Sequence, residues 1–229
     1  MSDRLSRDEL ESDALVSGYA KAYAFYQENK NALIYGTLAV LILIAAGVWY
    51  YMDRQQKAEE AQELLTGAEE LFQQERYEDA LLGDDEGMTV GFAEIASDYP
   101  RTDAGNIASY YAAVSSARIG NYEDALSYIE NYSPPDGILG VGPVSFKAAV
   151  LANLDEHERA IETYIQAAEW DDNDVTTPQN LMSAAEVAFE SGNDAQAREL
   201  VDRILNNYGN SEHASDARRM HGLLSARGS

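Results

Sequence analysis

From Ala32 to Met52 the chain reads ALIYGTLAVLILIAAGVWYYM, a run with no charge, while the sequence that follows places apolar and polar residues at helical spacing. A run of about 20 such residues, rising 1.5 Å each, crosses a hydrocarbon core of roughly 30 Å. The pattern therefore predicts a transmembrane helix over 32–52. Trp49, Tyr50 and Tyr51 fall where an interfacial aromatic belt is expected, and Phe25 and Tyr26 precede the other end. The run starts far from the N-terminus and ends in bulky aromatics rather than a small-residue cleavage site, which favours an uncleaved anchor over a signal peptide. Within 1–31, Tyr19, Tyr23, Tyr26 and Lys30 recur at helical spacing. That segment reads either as an interfacial amphipathic helix or as an extension of the anchor helix.

Beyond the anchor, DRQQKAEEAQELLTGAEELFQQERYEDAL continues in helical pattern with no Gly/Ser linker. Four related stretches follow: ERYEDAL, GNYEDAL, EHERAIETY and GNDAQARELV. Their alanines, Ala80, Ala125, Ala160 and Ala197, lie 45, 35 and 37 residues apart, with GDDEGMTVG lengthening the first interval. These spacings bracket the roughly 34-residue period of a tetratricopeptide (TPR) unit. In such a hairpin small residues sit where helices cross closely and a turn residue joins them. Ala113, Gly120, Asn121, Tyr122 and Ala125 fill those places in the second unit, and Leu181, Ala185, Gly192, Asn193 and Ala197 in the fourth. The third unit departs, with Asp155 at the turn glycine and His157 at the wedge tyrosine. Pro100 and Gly209 close helices, Thr177 and Pro178 signal a helix start, and EHASDARRMHGLLSA is expected to cap the stack.

The expected fold is all-α, with one N-terminal transmembrane helix and a TPR-like α-solenoid of about four helical hairpins over 53–229. Sixteen basic against 40 acidic residues give a formal charge of -24, and the first 52 residues hold only four of the basic and six of the acidic ones. The acidity belongs to 53–229, where it serves either to attract a basic partner or to keep the surface soluble. Nucleic acid and anionic lipid head groups are both repelled by such a charge. There is no cysteine, hence no disulfide or thiolate. Lys21 and Lys30 balance Arg54 and Lys57 across the span, so charge decides its orientation only weakly, through Arg4 and Arg7.

The junction FYQENKNALIYGTLAVLILIAAGVWYYMDRQQKAEEA, with the repeats after it, resembles the YfgM-type, membrane-anchored TPR-like proteins that are ancillary subunits of the bacterial Sec translocon. The likeness runs from about Tyr19 to the end of the chain. It implies a single-pass protein of the bacterial inner membrane, with its N-terminus cytoplasmic and its repeat domain periplasmic. It implies as partners translocon subunits and a periplasmic chaperone or emerging chains. The insert from Gly83 to Gly91 and the loop Pro134 to Gly137 depart from the family pattern. FAEIASDYPRTDAGNIASYYAAVSSARIGNYEDAL is also similar to repeats of outer-membrane assembly lipoproteins and cell-division coordinators, whose lipidated cysteine this chain lacks.

His157, His213 and His221 have no zinc spacing, and an EF-hand begun at Asp172 would put Thr177 at its glycine and Ser183 at its glutamate. No phosphate loop, dinucleotide fingerprint or nucleophile elbow is present. No enzymatic activity, metal or cofactor is expected. The expected activity is protein binding in the groove lined by the first helix of each hairpin. Helical register turns Tyr110, Val114, Arg118, Ser145, Ala149, Met182, Glu186 and Phe189 toward it, with Tyr110, Met182 and Phe189 as anchors. The competing reading is a structural scaffold of an envelope or cell-division complex, with self-association.

Overall fold

The computed structural model describes residues 7–85 and 87–227. Its elements are helices, and the one isolated β-bridge among the described residues joins Gly83 to Val90. The first helix, α1, runs from Arg7 to Gln73. The chain divides into two compact units, residues 1–56 and 57–229.

In the first unit the charge-free stretch is long and apolar enough to cross a membrane, and none of it is buried. The described part of 1–31 is helical and runs into that stretch without a break. Tyr19 and Tyr23 stack with ring centroids 6.3 Å apart, and the Gln27 side chain donates to the Tyr23 hydroxyl at 3.0 Å. One turn separates each of these neighbours, so the aromatic row follows directly from helical spacing.

The second unit is built from hairpins. Residues 57–73 of α1 present Ala61, Leu65, Ala68 and Leu71 to one side, all buried with Phe92, Ile95 and Ala108. Full burial of Phe92 contributes roughly 2–3 kcal/mol. There follow α2 (Tyr77–Leu82), α3 (Phe92–Asp98), α4 (Asp103–Arg118), α5 (Tyr122–Asn131), α6 (Ile138–Asn153), α7 (His157–Trp170), α8 (Thr176–Glu190), α9 (Asp194–Asn207) and α10 (Ala214–Arg227). Helices consecutive in sequence pack together from α2 to α10, with α4/α5, α6/α7 and α8/α9 as hairpins.

Each helix-to-helix turn that precedes a repeat alanine has the same backbone. Glu75, Gly120, Asp155 and Gly192 take left-handed φ values of 61°, 86°, 57° and 83°. The next amide reaches back to close the preceding helix: Arg76 to the Leu71 carbonyl at 3.1 Å, Asn121 to Ser116 at 2.8 Å, Glu156 to Leu151 at 3.0 Å and Asn193 to Ala188 at 2.8 Å. This is the Schellman closure of a helix C-terminus. Ala80, Ala125, Ala160 and Ala197 then open the next helix, each donating to the carbonyl of that closing residue, and each is fully buried. Any larger side chain there would force the crossing helices apart.

The insert predicted between the first two repeats separates α2 from α3. Asp84 secures it by accepting from the amides of Met88 at 2.8 Å and Thr89 at 3.3 Å, beside the Gly83–Val90 bridge. Gly91 is required where the strand-like segments meet, because a Cβ there would overlap the Leu81 carbonyl and the Gly83 amide. Thr102 accepts from the Gly105 amide at 3.0 Å and so caps α4, after the expected break at Pro100. At α8 the cap is instead Asn173, whose Oδ1 accepts from the amides of Val175 and Thr176, both at 2.9 Å. Thr177 and Pro178 lie buried in the first turn of that helix.

Candidate functional site

The eight residues read from helical register fall on the first helices of successive hairpins. Tyr110, Val114 and Arg118 are on α4, Ser145 and Ala149 on α6, and Met182, Glu186 and Phe189 on α8. They differ widely in what they leave free.

Tyr110 is half-buried in an aromatic cluster, its ring 5.2 Å from Tyr132, 6.1 Å from Phe146 and 5.9 Å from Tyr111. Burial pushes its phenol pKa up, and Tyr132 and Tyr111 add to the effect. It joins α4 to α6 rather than standing clear. Val114 and Ala149 are half-buried, and Arg118 is exposed with its guanidinium 5.8 Å from the Tyr77 ring centre. The Ser145 hydroxyl lies 2.6 Å from Oδ1 of Asn180, to which it donates, and the Asn180 amide donates to the Thr176 carbonyl at 2.8 Å. A polar tie thus fastens α6 to α8. Met182 is 4% exposed within the core of α7 to α10, so it offers no free contact surface.

Glu186 remains exposed beside α10. Its carboxyl pKa is raised by burial of part of the group and by Glu190 and Asp216, with Arg219 and His213 opposing. Phe189 is covered by the end of the chain. The Arg227 guanidinium sits 3.8 Å from its ring centre, pairs with Asp194 at 3.0 Å, and is within 3.4 Å of the Phe189 carbonyl. Arg198 also donates to the Leu224 carbonyl at 2.8 Å. The last described helix, α10, packs against α9 and α8.

Register missed Asn180, Phe146, Tyr132 and Arg227, which the fold brings against the residues it chose. The signal for Arg227 was a basic residue in the last turn of the final helix, and for Asn180 a polar residue amid the buried positions of α8. A depression of about 200 Å³ between α5, α6 and α7 is lined by Tyr132, Pro134, Lys147 and Trp170, among others. No cluster of three or more His, Asp or Glu suited to a metal occurs among the described residues. No family model matches the chain, and neither does any curated protein.

Proposed function

We propose that this chain is a single-span membrane-anchored adaptor, whose hairpin domain is a TPR-like solenoid that binds proteins on the outer face of a bacterial inner membrane. The observation that carries the reading is the four-fold recurrence of one turn geometry, at Glu75, Gly120, Asp155 and Gly192, in a chain that also carries an exposed, charge-free helical stretch over 32–52. Stacked hairpins present an extended surface, which suits recognition of a protein segment. The resemblance of the anchor junction to translocon-associated proteins supports translocon subunits, a periplasmic chaperone or emerging chains as partners.

Arg118 and Glu186 are the exposed members of the candidate surface, and they are the places for a photoreactive side chain. Irradiation of intact cells, followed by mass spectrometry of the adducts, should recover translocon subunits or a periplasmic chaperone. Recovery of cell-division or envelope-structure proteins alone would replace the adaptor with a scaffold. Adducts confined to cytoplasmic proteins would remove the proposed location and the function with it.

A further inference from the structure

The loops that lead into α6 and α8 form one fixed patch. Residues 132–139 read YSPPDGIL and residues 170–176 read WDDNDVT. The indole of Trp170 donates to the Pro135 carbonyl at 3.1 Å, which ties the two segments together. Asn106 anchors the first loop from the other side, donating to the Ser133 carbonyl at 3.0 Å and accepting the Ser133 amide at 2.8 Å. The second loop is held by the Tyr208 hydroxyl, which donates to Asp172 at 2.6 Å. Neither loop is therefore a loose tether between helices.

What this patch displays is unusual for solvated loops. Ile138 opens α6, Leu139 follows it, and Val175 immediately precedes α8, with 53%, 75% and 71% of their surfaces exposed. These exposed apolar side chains stand at the starts of two helices that the Ser145–Asn180 bond joins, and such positions offer a contact surface. The same two segments hold four aspartates, Asp136, Asp171, Asp172 and Asp174, and no lysine or arginine. Three cations on α6, α7 and α9 are matched by glutamates: Lys147 and Arg159 pair with Glu130, and Arg203 pairs with Glu169. The field over the patch is thus negative, and it repels anionic lipid and nucleic acid while attracting cations.

We propose that this patch docks a cationic amphipathic segment of a protein partner, with its apolar face on Ile138, Leu139 and Val175 and its lysines or arginines toward Asp136 and Asp174. The proposal deepens the protein-binding reading and rests on it. Neither charge nor apolar area suffices alone: a purely basic segment would leave the aliphatic side chains wet, and a purely apolar one would leave the carboxylates uncompensated.

The test uses the full chain in nanodiscs of zwitterionic lipid, with empty nanodiscs as the blank, and three fluorescent peptides read by anisotropy. The first places leucine and lysine on opposite faces of a helix, the second has glutamate for lysine, and the third has serine for leucine. Only the first should bind well, and its affinity should fall about tenfold in L139S/V175S and again in D136N/D174N, as expected for central interface positions. Unchanged thermal melts of these surface variants would show that folding is intact. The proposal is overturned if no peptide binds, if the first and third bind alike, or if the substitutions leave the first unaffected. Photoadducts from Arg118 or Glu186 obtained alongside such a result would keep the adaptor reading and remove only the patch.

Discussion

Asp155 takes, at φ 57°, the left-handed turn conformation that Gly120 takes at φ 86° one hairpin earlier, and the same backward amide bond closes both turns. The geometry of the joint thus persists where the glycine does not. Aspartate tolerates this conformation better than most L-residues, whereas Glu75, at φ 61°, has no such advantage.

Removing that strain should stabilise the domain. Glu75→Gly is expected to raise unfolding free energy by about 1 kcal/mol, and Asp155→Gly by less, in urea titrations of the full chain. Gly120→Ala should cost about 1 kcal/mol through its backbone alone, since a Cβ there meets nothing within 4 Å.

Steric demand replaces backbone strain at Gly105 and Gly140. A Cβ on Gly105 would overlap the Tyr99 carbonyl, and one on Gly140 would overlap the Pro135 carbonyl and the Trp170 indole. Gly105→Ala should therefore destabilise by about 1–3 kcal/mol. Gly140→Ala should in addition raise the fluorescence change of Trp170 on quencher addition, because its bond to Pro135 must open.

Ser115 and Ser116 on α4 are fully buried, and their hydroxyl oxygens have no hydrogen-bond partner. Such a group keeps its desolvation cost without return. Ser116→Ala is expected to stabilise the domain by about 1 kcal/mol in the same titrations, and a loss of stability would show that the hydroxyl has a partner in solution.

Glu186 gives a pH dependence of defined sign. Its folded pKa is raised, so the folded state binds its proton more readily than the unfolded state does, and its contribution to stability declines as pH rises from the ordinary carboxylate value through the raised one. Glu186→Gln should be more stable than the parent at neutral pH, with the difference shrinking as pH falls into the ordinary carboxylate range. Arg219, His213, Asp216 and Glu190 face the same carboxyl, and Tyr164 feels its charge, so the comparison must be made within that pH window.

Much of this architecture was legible because it depends on local chemistry. The charge-free run over 32–52, the buried alanines at 80, 125, 160 and 197, and the turn at Asp155 all follow from side-chain size, charge and backbone preference. The helix α8 starts at Thr176, two residues ahead of the Pro178 start expected from the Thr177–Pro178 signal, because Asn173 caps from outside it. The candidate surface was less legible. Helical register says which way a side chain points, not what covers it. Met182 points correctly yet is enclosed by neighbours, Tyr110 is taken up by Tyr132 and Phe146, and Phe189 by Arg227 from a helix distant in sequence.

Everything proposed about partners depends on where the hairpin domain lies, and the absence of native cysteine makes that directly measurable. A single cysteine at exposed Glu123, or at exposed Ala20 before the apolar stretch, should be challenged with a membrane-impermeant maleimide in cells whose outer membrane alone is opened. Labelling at residue 123, with residue 20 protected until the inner membrane is breached, is the expected result. Protection of residue 123, or labelling of residue 20 in intact spheroplasts, would contradict an anchored domain on the outer face.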